Sequence, residues 1–368
     1  MELHPAGPDG PGAKPKYLVI NADEGEPGTC KDIPTMMADP HSLVEGCIIT
    51  SYAIRANFCA IYIRGEALHC IRRVRRAVEE AYAAGYLGKD VLARASTSTS
   101  WCTRRGRYIC GEETALLDSL EGRRGQPRLK PPFPATAGLY ASPTVVNNVE
   151  TIASVPSIVA GGSGWFRAMG SERSPGPKIY SLSGHVEKPG QYEAPDGHHA
   201  AHSAGAGGRH EGRHPAEVLD AGRLVHPAVH RRAPRRAARL RGRGRRGLDA
   251  GHDRRADLQR DRLRAVGGHE VDRVLQAREL RQVHPVPRGT YWLLQILQRM
   301  VRGEGTEADI DTLLDVCDNI LGRSFCALGD GATSPISSGI KYFRQEFLDL
   351  IAAQRAARDE PVLTGAPA

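Results

Sequence analysis

Between Glu193 and Thr290 the chain has no Phe, Tyr, Trp, Ile, Met, Lys, Asn or Cys. A stretch so poor in large apolar side chains has little to bury and cannot offset the entropy of ordering a core. It holds instead 21 Arg and 10 of the chain's 14 His. Other absences bound the rest. No apolar run is long enough to span a bilayer, and no signal peptide is evident. None of the eight Cys falls into C-x-x-C spacing, so paired metal-ligand geometry is missing. A reducing cytoplasm is the expected compartment, where Cys means burial or ligation rather than disulfides. The net charge of +8 suggests a polyanion partner only until it is divided: residues 193–290 contribute +9 and the remainder −1. A near-neutral globular part gives no electrostatic reason to expect nucleic acid.

The flanks are ordinary globular sequence, and 368 residues suggest two or three domains. Residues 1–16 form a Pro/Gly-rich lead-in. Tyr17 to Ile20 is a short strand running into an acidic, Gly-containing turn, Asn21 to Gly28, a common site layout in α/β domains. The pattern predicts a helix over 40–56, a strand over 57–64 and an amphipathic helix over 66–85 that turns Arg72, Arg73, Arg75 and Arg76 outward. Residues 94–104 are Ser/Thr-rich where the rhythm expects a strand. Tyr108 to Thr114 leads into a helix over 115–120, and a Pro-rich connector runs from Lys130 to Pro134. Residues 145–151 read as the start of another helix, 178–192 as a β-hairpin opening a small β domain, and 291–322 and 335–352 as helices. The alternation predicts an α/β class with a mostly parallel sheet.

The blocks YLVINADEGEPGTCKD, YICGEETALLDSLEGRRGQPRLKPPFPATAGLY, PTVVNNVETIA, SLSGHVEKPGQYEAP, GTYWLLQILQRM and SFCALGDGA resemble the flavin- and NADH-binding F-subunit (51 kDa) family of respiratory complex I, the NADH–quinone oxidoreductase. The resemblance implies a Rossmann-like FMN-binding domain over 1–175, a small β-grasp (SLBB-type) domain over 176–270 of which only 178–195 is intact, and a helical iron–sulfur bundle over 290–355. It implies FMN, NAD(H) and a 4Fe–4S cluster as cofactors. By match to its motifs, Asn21, Asp23, Glu24, Gly25, Tyr108, Gly111, Glu112, Asn147, Asn148 and Thr151 line the flavin site, joined by Ala327 and Leu328. Glu26 and Glu113 are the implied catalytic carboxylates, Lys130 and Phe133 meet the dinucleotide, and Cys326 matches one cluster ligand. Gly25 stands where the family commonly has Ser. The implied partners are a thioredoxin-like subunit of the 24 kDa type and an iron–sulfur subunit. The implied place is the cytoplasmic peripheral arm, reaching the membrane only through the complex. Related modules serve as diaphorases of formate dehydrogenases and hydrogenases; no ferredoxin- or thioredoxin-like extension is seen here, which favours complex I.

The family pattern breaks in four places, and one cause accounts for all of them. With suitable codons, residues 214–230 read in another frame give IRLKFWTPGGSSTPLFT, close to the family's sequence there. Residues 271–287 become WTEFYKHESCGKCTPCR, which contains a C-x-x-C-x-x-C cluster motif. Residues 94–104 become GFDLDLVVHA, and MELHP becomes WSFIP. Out-of-frame, GC-rich codons also explain the excess of Arg, Ala, Gly and His. The expectation is a chain with a late start and internal frame changes, lacking a glycine-rich phosphate loop and three of four cluster thiolates, and therefore binding FMN weakly or not at all, assembling no cluster and oxidising little NADH.

Plainer readings stand beside these. Asp23, Glu24, Glu26, Glu112 and Glu113 suit turns and helix starts for electrostatic reasons alone. Cys110 and Cys317 read as buried small hydrophobes. His198, His199, His202, His210 and His214 need no metal, since the alternative frame predicts His without ligation. The arginines of 231–246 lack the interleaved aromatics of single-strand binders. A nucleic-acid-binding protein and a non-catalytic remnant that docks to the thioredoxin-like subunit are the rival classes.

Overall fold

The computed structural model describes residues 14–195 except 27, 57, 92–94, 105–107, 173 and 185–187, the short stretches 218–220, 228–230 and 254–258, and 286–359 except 325. Residues 1–13 of the lead-in, the histidine-rich and arginine-rich tracts, and residues 271–285, where a frame change is expected, lie outside these residues. The chain divides into two compact units, Met1–Ile179 and Tyr180–Ala368.

In the first unit, strand β1 (Tyr17–Ala22) carries Leu18, Val19 and Ile20 fully buried on both faces, as a central parallel strand requires. It pairs in parallel with β2 (Phe58–Arg64) on one side and β5 (Thr144–Asn148) on the other. The sheet order is β3-β4-β2-β1-β5. Only β3 (Gly88–Val91) runs antiparallel, against β4 (Ala95–Arg104). Strand β4 pairs in parallel with β2 from Phe58↔Ser98 to Arg64↔Arg104, filling the place that the rhythm of the chain demands.

Helices α1 (Asp32–Ala38), α2 (Pro40–Ile54) and α3 (Leu68–Ala83) connect β1 to β2 and β2 to β3. Helix α3 buries Ile71, Val74 and Val78 and leaves the four arginines exposed, the expected amphipathic split. Leu18, Ile20, Met36, Leu43, Cys47, Cys59, Ile61 and Cys70 form one apolar core with Ile152. Gly46 lets α2 and α6 (Val149–Ala153) touch backbone to backbone: a Cβ there would lie 2.0 Å from the Ile152 carbonyl oxygen. Helix α4 (Glu113–Leu120) and the short α5 (Pro134–Ala137) come between β4 and β5; α7 (Val155–Ala168) and a two-residue ribbon, β6 (Gly170–Ser171) with β7 (Ser174–Pro175), close the unit.

Residues 145–148 are strand, not the start of a helix. Val145 and Val146 are β-branched and pair with β1. Asn148 then holds an extended backbone and accepts the Glu150 N–H, so the helix begins at Val149. The chain runs from β1 outward through β2 to β4 and then returns to β5 on the other flank of β1. In open α/β sheets, ligands commonly bind in the crevice at the carboxyl ends of the two strands at such a reversal, here β1 and β5.

Strand β8 (Pro177–Gly184), within which the boundary between the units falls, and β9 (Gly190–Pro195) lie side by side in a sheet ordered β11-β10-β12-β8-β9. Its other strands are the short β10 (Val218–Asp220), β11 (Ala228–His230) and β12 (Arg254–Leu258). Most of the span expected as β-grasp, 176–270, lies outside the described residues. Helices α8 (Val286–Val301), α9 (Glu307–Ile320) and α10 (Ala327–Asp359) bury Leu293, Leu297, Met300, Ile310, Leu313, Ile320, Ile336 and Ile340. Among the described residues no helix is long and apolar enough to cross a membrane.

Candidate functional site

The acidic turn after β1 is hung on the segment that follows β4. The Asn21 amide donates to the Gly111 carbonyl at 2.9 Å, and its oxygen accepts from the Asp23 N–H at 3.2 Å. The Tyr108 hydroxyl donates to Glu26 Oε2 at 2.5 Å. Gly25 and Gly111 make the approach close: a Cβ on Gly25 would lie 3.5 Å from Tyr108 Cα, and one on Gly111 3.5 Å from the Asp23 carbonyl oxygen. These are ordinary contacts, so a serine at position 25 would also fit. Asp23 itself is buried.

Glu24 caps α1. Its carboxylate accepts from the backbone N–H groups of Lys31, Asp32 and Ile33 at 2.6, 2.9 and 3.1 Å, neutralising orphan donors of that helix. Arg64 donates to the Glu24 carbonyl at 2.9 Å, tying the turn to the end of β2. Behind the cap lies a buried polar knot. Lys31 Nζ lies 2.5 Å from Asp32 Oδ1, 2.7 Å from Asn148 Oδ1 and 3.1 Å from Glu150 Oε2. The Asn148 amide donates to Asp32 Oδ2 at 2.8 Å and to the Asn21 carbonyl at 3.2 Å. One side chain at the end of β5 is thus locked to the end of β1. Lys31, Asp32 and Glu150 are absent from the residues predicted by sequence; the Lys-Asp pair directly after the acidic turn is the signal that could have found them.

Glu112 caps α4, taking the Thr114 and Ala115 N–H groups on Oε2, each at 2.9 Å. Its Oε1 meets Lys130 Nζ at 3.2 Å, and Lys130 also pairs with Glu113. Burial would lower the Lys130 pKa, but Glu113 and Glu112 outweigh it and hold the ammonium above its ordinary value. Beside this cluster is a cavity of about 350 Å³ lined by Glu113, Phe133, Pro134, Val145, Val146 and Asn147, within the size range of small-molecule pockets. Phe133 is 58 % exposed, a large ring left facing solvent.

The structure therefore gathers Asn21, Asp23, Gly25, Glu26, Tyr108, Gly111, Glu112, Glu113, Lys130, Phe133, Asn147 and Asn148 at one end of one sheet. Glu24 and Glu112 also fulfil the plainer expectation of helix-start carboxylates. Thr151 is exposed on α6. Cys326, Ala327 and Leu328 belong to the second unit, at the start of α10. Cys47, Cys59, Cys70, Cys110 and Cys317 are buried.

The sequence profile of the Nuo51 FMN-binding domain matches residues 7–157, and that of the NADH-ubiquinone oxidoreductase-F iron-sulfur binding region matches 284–350. The F subunit of NADH-quinone oxidoreductase from Mycobacterium tuberculosis is 50 % identical over 94 % of this chain and 78 % of its own length. The F subunit of the Streptomyces coelicolor enzyme is 50 % identical over 92 % of this chain and 76 % of its own. Among solved structures, an NAD+-reducing NiFe-hydrogenase in the H2-reduced state superposes with a TM-score of 0.83 at 29 % identity, covering 91 % of this chain and 56 % of that one.

Proposed function

Because this chain belongs to the F-subunit family of NADH-quinone oxidoreductase, we propose that the crevice at β1 and β5 is its flavin and NADH site and that it serves at the electron entry of complex I. The observation that carries this is the convergence of four separate segments: Asn21 bonds to Gly111, Tyr108 to Glu26 and Lys130 to Glu113, and Glu113, Phe133 and Asn147 line one cavity. The hydrogenase likeness supports shared NAD chemistry, and identity of 50 % against 29 % favours complex I over a hydrogenase diaphorase.

The residues fit a flavin. Val145 and Val146 wall a slot that Asn147 and Glu113 also line, and Asn21 pairs with Asn148 at the adjoining strand ends. FMN, when bound, supplies a centre that takes hydride and releases electrons singly. The chain's own residues bind and orient. Asn147 offers its amide to polar ring edges; Asn148, whose amide N–H groups go to Asp32 and the Asn21 carbonyl, holds the end of β5 in place and is itself fixed by Lys31. Asp23, Gly25, Tyr108, Gly111 and Thr151 complete the flavin site. Glu24 serves it through α1, since both its oxygens already take backbone N–H groups. Glu26 and Glu113 accept from hydroxyl and carboxamide groups of NADH. Phe133 presents a stacking face, and Lys130 a counter-charge for phosphate.

The iron–sulfur group does not fit. A 4Fe–4S cluster takes four protein ligands, in this chemistry thiolates, and beyond Cys110 the sequence has only Cys317 and Cys326. Cys317 is 2 % exposed with Sγ 3.9 Å from the Thr333 carbonyl oxygen, inside the helical bundle. Only Cys326, with Ala327 and Leu328, keeps a place matching the family. A frame change across 271–287 accounts for the missing thiolates. Docking to a thioredoxin-like subunit and an iron–sulfur subunit in a peripheral arm completes the reading.

Titration of the purified chain with FMN, followed by NADH and a ferricyanide acceptor, tests it. Weak but saturable flavin uptake with slow NADH-dependent ferricyanide reduction is expected. A folded chain that takes up neither flavin nor NADH sinks the reading.

A further inference from the structure

We propose that Arg128 is a positioning residue that sets Lys130 for the dinucleotide phosphate; this rests on the crevice being an NADH site. The stretch between α4 and α5 has little regular structure of its own, so something must fix where Lys130 stands. Arg128 Nε donates to Asp118 Oδ1 at 2.8 Å, and Nη2 lies 2.7 Å from the same oxygen and 2.8 Å from Glu121 Oε1. Its Nη1 donates to the Gly138 carbonyl at 2.9 Å, and its backbone N–H to Thr114 Oγ1 at 2.8 Å. The Thr114 hydroxyl in turn donates to Glu112 Oε2 at 2.5 Å.

One residue thus ties the connector to both ends of α4 and to the far side of α5. The ties are shielded, with Asp118 and Glu121 side chains 14 % and 5 % exposed, unlike surface pairs that contribute little. Gly125 presses the same connector inward, since a Cβ there would lie 2.6 Å from Cys110 Sγ. Two residues beyond Arg128, Lys130 emerges onto Glu112 and Glu113. A guanidinium can hold two carboxylates and a carbonyl at once; an ammonium in its place cannot span all three. Displacing a phosphate-binding cation by about an ångström is costly to binding and rate.

The test is NADH binding to the full chain in excess FMN held fully reduced with dithionite, by calorimetry, for the unsubstituted protein, Arg128→Met, Lys130→Met and the double variant. Arg128→Met is expected to weaken NADH about tenfold, the scale of one charge-assisted hydrogen bond, with FMN affinity unchanged. Because Arg128 acts through Lys130, adding Arg128→Met to Lys130→Met should have little further effect. Losses that multiply in full, or an Arg128→Met variant that binds as tightly as the parent, overturn the proposal. If Arg128→Met does not fold, Arg128→Lys replaces it; intermediate NADH weakening is then expected, and parent-like affinity overturns the role. An unsubstituted chain that takes up no NADH instead brings down the underlying site reading, and the proposal with it.

Discussion

The Lys31 ammonium, 1 % exposed, donates to the Asn148 side-chain oxygen at 2.7 Å across 117 residues of sequence. The same ammonium pairs with Asp32, itself 2 % exposed. Lys31→Met leaves that carboxylate buried without its cation. The expected loss of stability is about 3–5 kcal/mol, the cost of breaking a buried pair from one side, read as a lower urea midpoint. Replacing Asp32 by Leu as well should recover much of it. A single variant that unfolds within about 1 kcal/mol of the parent would contradict the buried geometry.

Gly46→Ala sets two effects against each other. Helix propensity alone favours Ala by about 1 kcal/mol. The added Cβ would sit 2.0 Å from the Ile152 carbonyl oxygen, and overpacking of that kind costs about 1–3 kcal/mol. Backbone cannot swing aside as a side chain does, so a lower melting temperature is expected. An unchanged or higher one would mean that α2 and α6 are not in contact.

The ion pairs of Lys130 give a pH signature. Its folded pKa lies above 10.5, so its contribution is complete below that value and disappears as pH rises through the folded pKa. The side chain is 30 % exposed, so solvent screening keeps the effect small. The difference in unfolding free energy between parent and Lys130→Met should be constant up to about pH 9.5 and shrink above about pH 10.5. A difference that grows with alkalinity would show the pairing to be absent.

Anaerobic reconstitution with iron and sulfide should yield no stable four-iron centre, because two cysteines beyond Cys110 cannot supply four ligands. Cys326→Ser should leave the iron content unchanged. Four irons per chain would overturn the ligand count. Resequencing the region encoding 193–290 is the companion measurement; a single clean frame would remove the frame-change explanation.

Strands β1 and β2 and helices α2 and α3 are legible because their own composition specifies them: short runs of apolar, aromatic and β-branched residues, or apolar residues every third and fourth place. Residues 145–148 are not, because Val-Val-Asn-Asn before a helix looks like its first turn until the partner strand is present. Helix α1 escapes notice for a related reason: Glu24 caps it from outside its own segment. In the site, Asn21, Glu113, Lys130 and Asn147 are readable through motif blocks. Lys31 and Arg128 are not, since a lysine or arginine in a loop is expected in water, and only the folded chain shows which carboxylates enclose it.

Glu112 divides its two oxygens between separate tasks, one stapling the first turn of α4 and the other touching Lys130. An anion that drew the lysine away would therefore free one Glu112 oxygen, along with the Glu113 carboxylate, and leave the staple in place. If the crevice takes the proposed dinucleotide, guest exchange at this mouth would proceed against a wall that does not have to melt to let it happen.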